Sequence, residues 1–261
     1  MKKLLWIIPL GLAVLCAVAV GVFYLNQGYS RLLNLFAQTD RTGMMQPGSY
    51  THEDGTTLVY RIYAPERAEA LPLVLFLHGG GELGDDNRAH TRRNSIMQTL
   101  LNDQNRAEFP AVALAPQCPA DRRWAGDYNV TAALMGLLEQ TIATYNIDPA
   151  RVYVAGISMG GRGVWNLLAE HPDFFAAAVP VCGWGEPETA YRFSHVPIWV
   201  FHGARDGVIA AQYSRDMVEA LEQAGSTNVR YTEYPRDSHA VWQRVWREAE
   251  LFPWMFAQVR G

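Results

Sequence analysis

Lysine is almost missing from this sequence: Lys2 and Lys3 are its only lysines among 22 basic residues, and every later one is arginine. No single site would remove lysine everywhere else, so the bias is compositional. Cysteine is nearly as scarce, with Cys16 near the start and only Cys118 and Cys182 beyond it. A chain of 261 residues buries a sizeable core without a disulfide framework or a structural metal. Cys118 and Cys182 each follow a different expected strand, about three spacings of ~4.8 Å apart, so two buried thiols are expected rather than a bond. An excess of positive charge is also lacking. The net charge of −4 argues against a nucleic-acid partner, since phosphate binding wants a basic face. Internal repeats, low-complexity tracts, metal-ligand spacings and a second core are absent as well, which leaves one sheet-based domain with no metal.

Long hydrophobic character is confined to the beginning. Lys2 and Lys3 precede an uncharged, mostly apolar run from Leu4 to Leu25. At about 1.5 Å per residue, a helix of that length spans a hydrocarbon core of about 30 Å. A cleaved signal peptide suits the short basic start and the small residues Ala17 and Ala19; an uncleaved anchor better suits the continuation through Val20, Val22, Phe23 and Leu25. A lipoprotein site at Cys16 is disfavoured by the bulky Leu15 before it. Residues 1–28 are therefore read as a membrane anchor or signal peptide. Residues 29–45 follow as a polar tether with one short helix over Arg31 to Phe36, and 46–261 as the folded domain. Every version keeps the lysines inside and puts the domain beyond the membrane. It would be anchored to a bacterial-type inner membrane and face away from the cytoplasm, or be secreted or periplasmic if the leader is cleaved.

Strand and helix signals then alternate. Thr56 to Tyr63 alternates in polarity after the turn signal Glu53-Asp54-Gly55, which predicts an antiparallel hairpin. Continuous apolar runs at Leu73 to Leu77, Ala111 to Ala115, Val152 to Ala155, Ala176 to Val181 and Ile198 to Phe201 read as strands covered on both faces. Between them, Val130 to Tyr145, Gly160 to Glu170 and Ala210 to Ala224 carry helical periodicity. The pattern predicts an α/β domain with a mostly parallel central sheet of about seven to eight strands and helices on both faces. Such sheets place reactive groups just after the carboxyl ends of their strands.

Gly156-Ile157-Ser158-Met159-Gly160 lies at such an end and fits the G-x-S-x-G nucleophile elbow between a strand and a helix. A sharp turn there lifts the Ser158 hydroxyl clear of the sheet, and side chains at 156 or 160 would collide with the neighbouring strand and helix. An acyl-transfer oxyanion needs two preorganised donors. The backbone N–H of Met159 is one candidate, and that of Gly80, or alternatively Gly81, in His78-Gly79-Gly80-Gly81 is the other. Among seven histidines, His52, His90, His171 and His195 fall in turns or loops away from strand ends. His78 and His202 end strands but precede loops with other roles. His239 remains as the base, after the Val229 to Tyr234 strand and at the head of an aromatic-rich helix. Asp206, in the loop after Ile198 to Phe201, is the acid that would orient it. Asp237, two residues before His239, reads as a turn former.

The stretches LVLFLHGGGELGDDN, ALAPQCP, DPARVYVAGISMGGRGVWNLL, PIWVFHGARDGVI and DSHAVW carry a resemblance. Over most of Tyr50 to Trp246 the chain resembles the esterase branch of the α/β-hydrolase superfamily, near dienelactone hydrolases, polyhydroxyalkanoate-depolymerase-like esterases and related predicted peptidases. The resemblance implies that fold and carries Ser158, Asp206 and His239 over as a catalytic triad. Two-step ester cleavage through an acyl-enzyme is expected, with no cofactor and with a small-molecule or polymer-end ester as substrate. A peptidase or amidase of the same fold is the alternative, and a membrane-tethered binding module with a dead site is a more distant one. Trp124 and Trp184, both after strands, and Glu82, in the charged stretch beyond the glycine loop, are candidate pocket residues. Gly183 to Val196 has room for only a small cap.

Overall fold

Asp54 and Gly55 close the first turn in the way their residue types suggest. The Thr56 N–H donates to the Asp54 carboxylate at 2.8 Å, and Gly55 takes the positive φ of 89° that the tight reversal needs. This computed structural model describes residues 41–261, apart from 67, 68 and 93. The expected hydrophobic helix of the leader and the short helix over Arg31 to Phe36 lie outside the described residues. Arg41–Met44, read as the end of the tether, forms one 3-10 turn, and Met45 after it is buried in the core.

Eight strands form one sheet: β1 Gln46–Thr51, β2 Thr57–Tyr63, β3 Leu71–Leu77, β4 Val112–Gln117, β5 Ile147–Ile157, β6 Ala177–Val181, β7 Ile198–Gly203 and β8 Val229–Tyr234. Their order is β1-β2-β4-β3-β5-β6-β7-β8. The β1–β2 and β2–β4 pairs are antiparallel and the remaining pairs parallel. This is the mostly parallel sheet of the α/β-hydrolase fold.

Seven α-helices accompany the sheet among the described residues, the last two of them after β8: α1 Met97–Leu100, α2 Asp103–Glu108, α3 Tyr128–Thr144, α4 Met159–Glu170, α5 Gln212–Gln223, α6 Trp242–Val245 and α7 Leu251–Phe256. Among the described residues no helix is long and apolar enough to cross a membrane.

Strand periodicity sorts the core into two layers. In β3, Leu73, Leu75 and Leu77 face one layer with residues of α3, α4 and α5, while Val74 and Phe76 face the other with residues of α1, α6 and α7. All seven β3 residues are buried, which is why the sequence there is apolar without alternation. Phe76 meets Trp246 edge to face at 6.0 Å, so a single strand position ties the C-terminal helices to the sheet. Full burial of one such side chain contributes about 1.5–3 kcal/mol. The aromatic-rich helix expected after His239 is two short ones, α6 and α7, separated by a turn at 246–250.

Candidate active site

At the end of β5 the chain turns into α4 through Ser158, whose φ of 52° and ψ of −116° lie where non-glycine residues are strained. The surroundings leave the turn no alternative. A Cβ at Gly156 would run into the Gly160 carbonyl, and one at Gly160 into the carbonyls of Leu77 and His78. The Ser158 N–H donates to the Val181 carbonyl at 2.8 Å, pinning the turn to β6. Ser158 occupies the cap position of α4, but its hydroxyl makes no capping bond. That hydroxyl instead meets His239 Nε2 at 2.9 Å.

On its far side, His239 Nδ1 lies 2.7 Å from Asp206 Oδ2. Asp206 comes from the loop after β7, and its Oδ1 accepts the backbone N–H groups of Val208 at 2.8 Å and Ile209 at 2.9 Å. Burial works to raise the Asp206 pKa, but the bonds from His239, Ile209 and Val208 outweigh it and hold the carboxyl below its usual value. With an ionised acceptor on Nδ1, the imidazole carries its proton there and leaves Nε2 to accept from Ser158. Gly203 lets the loop before His239 lie against the end of β7, since a Cβ there would meet the carbonyls of Asp237 and Ser238. Arg205 N–H donates to the Asp237 carbonyl at 3.0 Å, so the backbone itself fixes the two loops together. Asp237 forms an ion pair with Arg244 at 2.7 Å, on the surface, as befits a turn residue.

A second histidine touches the same carboxylate. His202 Nε2 is 3.1 Å from Asp206 Oδ2 and 3.0 Å from the Ile209 carbonyl, while its Nδ1 is 2.7 Å from Ser214 Oγ. Ser214, His202 and Asp206 thus form a Ser-His-Asp constellation of their own. It is sealed, since His202 and Ser214 are both 0 % exposed. Burial drives the His202 pKa down, so the ring is neutral; Nε2–H donates to both oxygens and Nδ1 accepts from the Ser214 hydroxyl. No substrate reaches Ser214. His239, by contrast, is 18 % exposed and faces a serine on a strained turn. The constellation open to solvent is Ser158–His239–Asp206, and the buried one supports its carboxylate from behind.

Cys182, at the end of β6, donates its thiol to the His239 carbonyl at 3.4 Å, and burial pushes its pKa up, so it acts as a packed thiol. Both Cys118 and Cys182 are free and buried, as the strand spacing implied. Among the described residues the ligating atoms of Cys182, His202 and Asp206 lie within 4.8 Å of one another. Each is already engaged in the hydrogen bonds above, and all three side chains are closed to solvent.

Gly80 and Gly81 sit in an exposed 3-10 turn after β3, with open space where a Cβ would point. The loop is held from below. His78 Nε2 accepts the Cys118 N–H at 2.9 Å, so Nδ1 carries the proton and donates to the Gly79 carbonyl at 2.7 Å. Burial lowers the His78 pKa to about 4, keeping that tautomer neutral. Met159 opens α4 beside Ser158 with its N–H among the unpaired donors of the first helical turn.

The pocket expectations divide. Trp124 is 1 % exposed; its indole N–H donates to the His78 carbonyl at 3.1 Å and its ring packs on His78. It is therefore core beneath the glycine loop, a correction to its expected place in a pocket wall. Trp184 does border a cleft, with the Arg162 guanidinium 5.0 Å above its ring. Glu82 is turned toward Asn94, whose Nδ2 donates to it at 2.5 Å; burial raises the Glu82 pKa. Asn94 was not legible in the sequence as a site residue. Its Oδ1 also accepts the Trp242 indole N–H at 3.0 Å, and Trp242 packs edge to face on His239 at 5.4 Å. One amide thus links the glycine loop to the wall of the histidine.

With this geometry in place, the likenesses to known proteins fall into line. The sequence model of the Dienelactone hydrolase family matches residues 116–248, just over half of the chain. The "Putative esterase NocK" of Nocardia uniformis subsp. tsuyamanensis is 30% identical over 170 residues, which are 58% of this chain and 46% of that protein. An "Uncharacterized secreted protein" of Arthroderma benhamiae is 26% identical over 216 residues, 67% of this chain and 22% of its own. The crystal structure of a thermostable esterase superposes with a TM-score of 0.78 at 32% identity, covering 84% of this chain and 64% of the other. The chain spans less than two thirds of each of these three proteins.

Proposed function

This chain belongs to the dienelactone hydrolase family, and from that membership and the site geometry we propose that it is a serine hydrolase that cleaves carboxylic esters. The observation that carries the reading is the unbroken contact series from Ser158 Oγ through His239 to Asp206, at 2.9 and 2.7 Å. In the proposed mechanism His239 Nε2 takes the Ser158 proton as Oγ attacks the ester carbonyl. The imidazolium so formed is stabilised by the Asp206 carboxylate. Negative charge on the carbonyl oxygen is met by the N–H of Met159 and that of Gly80 or Gly81, aided by the positive end of α4. His239 then gives its proton to the departing alcohol. Water, activated by the same imidazole, attacks the acyl-serine and frees the acid.

The strained Ser158 turn and the two backbone donors on Asp206 favour a working site over a dead binding module. Matched short-chain p-nitrophenyl esters and anilides separate the esterase from the amidase. Esters turned over faster support the proposal, and faster anilide cleavage overturns it.

The proposal extends to location. The apolar run from Leu4 to Leu25 and the secreted relative both support a domain exported from the cytoplasm and held at the membrane by that run. Fractionation tests it: a membrane-bound product of full mass is expected, and a shortened soluble product would replace the anchor by a cleaved signal.

A further inference from the structure

Ile198-Trp199-Val200-Phe201-His202-Gly203 is buried throughout β7, and His202 is the one titratable side chain in it. An apolar residue would fill that place without the cost of desolvating an imidazole. Both ring nitrogens are matched, and the matches converge on Asp206. Nδ1 meets the Ser214 hydroxyl of α5 at 2.7 Å, while Nε2 meets Asp206 Oδ2 at 3.1 Å and the Ile209 carbonyl at 3.0 Å. The Ile209 N–H in turn donates to Asp206 Oδ1 at 2.9 Å. Ring and loop together grip both oxygens of the carboxylate.

The same partners fix the tautomer. With the proton on Nδ1, a bare Nε2 would face two oxygens, one of them charged. With the proton on Nε2, Ser214 donates to Nδ1 and every contact is a hydrogen bond. Oδ2 therefore receives two imidazole N–H groups, from His239 at 2.7 Å and from His202 at 3.1 Å. Charge engaged by one ring is withdrawn from the other.

The other titratable groups around the pair are already occupied. Cys182 is a buried thiol that burial keeps protonated. Glu233, the β8 partner of His202, accepts from Arg215 and from Tyr231, each at 2.6 Å. Asp237 pairs with Arg244, Glu82 accepts from Asn94, and Arg205 is exposed.

We propose that His202 is a positioning residue for the reaction at Ser158: its Nε2–H shares Asp206 Oδ2 with His239, fixing the carboxylate and limiting how firmly it holds a proton on the catalytic ring. This rests on the ester-hydrolase reading. Without the His202 donor, Oδ2 has more charge to offer the His239 cation, which favours the protonated ring. A protonated ring cannot take the Ser158 proton, so activity would fail at a higher pH.

His202→Leu removes both ring nitrogens, whereas His202→Gln keeps an N–H near the place of Nε2. The pH profile of kcat/KM on p-nitrophenyl acetate is compared in the full-length proteins, with circular dichroism to verify the fold. In His202→Leu the acid limb is expected to move up by about one unit, so kcat/KM on that limb falls about tenfold. KM should stay near its wild-type value, and His202→Gln should return the limb to its wild-type place. A residue that merely fills the core would change stability and leave the limb where it was. Ser214→Ala removes one hydroxyl and serves if the leucine variant does not fold. A hydroxyl donating to Nδ1 polarises Nε2–H, so its loss should move the limb the same way by less. NMR titration of the His239 ring nitrogens in the same proteins reads the effect without turnover. A midpoint that moves in a protein that cleaves no ester supports the role of His202 and sinks the hydrolase reading alone. A limb and a midpoint unmoved in every folded variant, or a shift that His202→Gln does not reverse, overturn the proposal.

Discussion

Replacing Asp206 by asparagine changes almost no volume and should nearly abolish turnover. The carboxylate accepts four hydrogen bonds: Oδ1 from the N–H groups of Val208 and Ile209, Oδ2 from His239 and His202. In Asp206→Asn the amide oxygen can stay with one pair only. If it keeps the two backbone donors, the new NH₂ faces two imidazole N–H groups. His239 escapes that clash by moving its proton to Nε2, so that Nδ1 accepts from the amide. Nε2–H then points at Ser158 and cannot take the hydroxyl proton. A wrong tautomer of this kind costs about 10⁴ in kcat, or about 5 kcal/mol of transition-state stabilisation. Steady-state hydrolysis of p-nitrophenyl acetate measures it, with circular dichroism to verify the fold. The substitution also acts on stability. Folding lowers the Asp206 pKa, so its contribution is present above the ordinary carboxyl range and is lost as pH falls through the folded value. The variant should lack that acid-side loss. If Asp206→Asn keeps kcat within tenfold of wild type, the tautomer argument is wrong and the carboxylate is not the orienting group.

Three further outcomes follow from the same contacts. His78 is neutral in the fold with a pKa of about 4, whereas the unfolded chain takes up a proton near 6.5. Its contribution is therefore whole above pH 6.5 and lost as pH falls toward 4, about 3 kcal/mol in all, and urea titrations of His78→Gln should show a shallower pH slope across that window; an unchanged slope refutes it. Asn94→Ala cuts the tie between Glu82 and Trp242 and should lower kcat by about tenfold to a hundredfold while the melting temperature moves little; full activity would show that the link positions nothing. Gly160→Ala drives a Cβ into the Leu77 and His78 carbonyls and should destabilise by about 3 kcal/mol in urea; a loss under about 1 kcal/mol would contradict the tight crossing of α4 over β3.

The sheet was legible because β3, β4, β6 and β7 are apolar on both faces and β2 and β8 mix polar with apolar positions: β8 matches its expected range, and β2, β3, β4, β6 and β7 begin and end within two residues of theirs. β5 runs longer, from Ile147, since pairing with β3 draws in Asp148 and Pro149, whose composition argues against a strand. The short helices α1, α2 and α7 carry too few turns for a period to show, and Pro253 sits inside α7. At the site, the elbow, the acid and the base could be read because each follows a strand at a fixed topological place. Asn94 and Trp242 could not, because they are joined only by contacts between residues 148 positions apart. Trp124 misled because its place after β4 gives no sign of which way the ring turns. His202 was passed over for a related reason, as nothing in Phe201-His202-Gly203 signals a ring buried behind Asp206.

Two serines face a histidine on the same carboxylate, and only one of them is open to solvent. A fluorophosphonate reacted with the intact protein and mapped by peptide mass spectrometry distinguishes them directly. The account predicts one adduct, on Ser158, lost in Ser158→Ala and retained in Ser214→Ala. An adduct on Ser214, or none at all on folded protein, would contradict it.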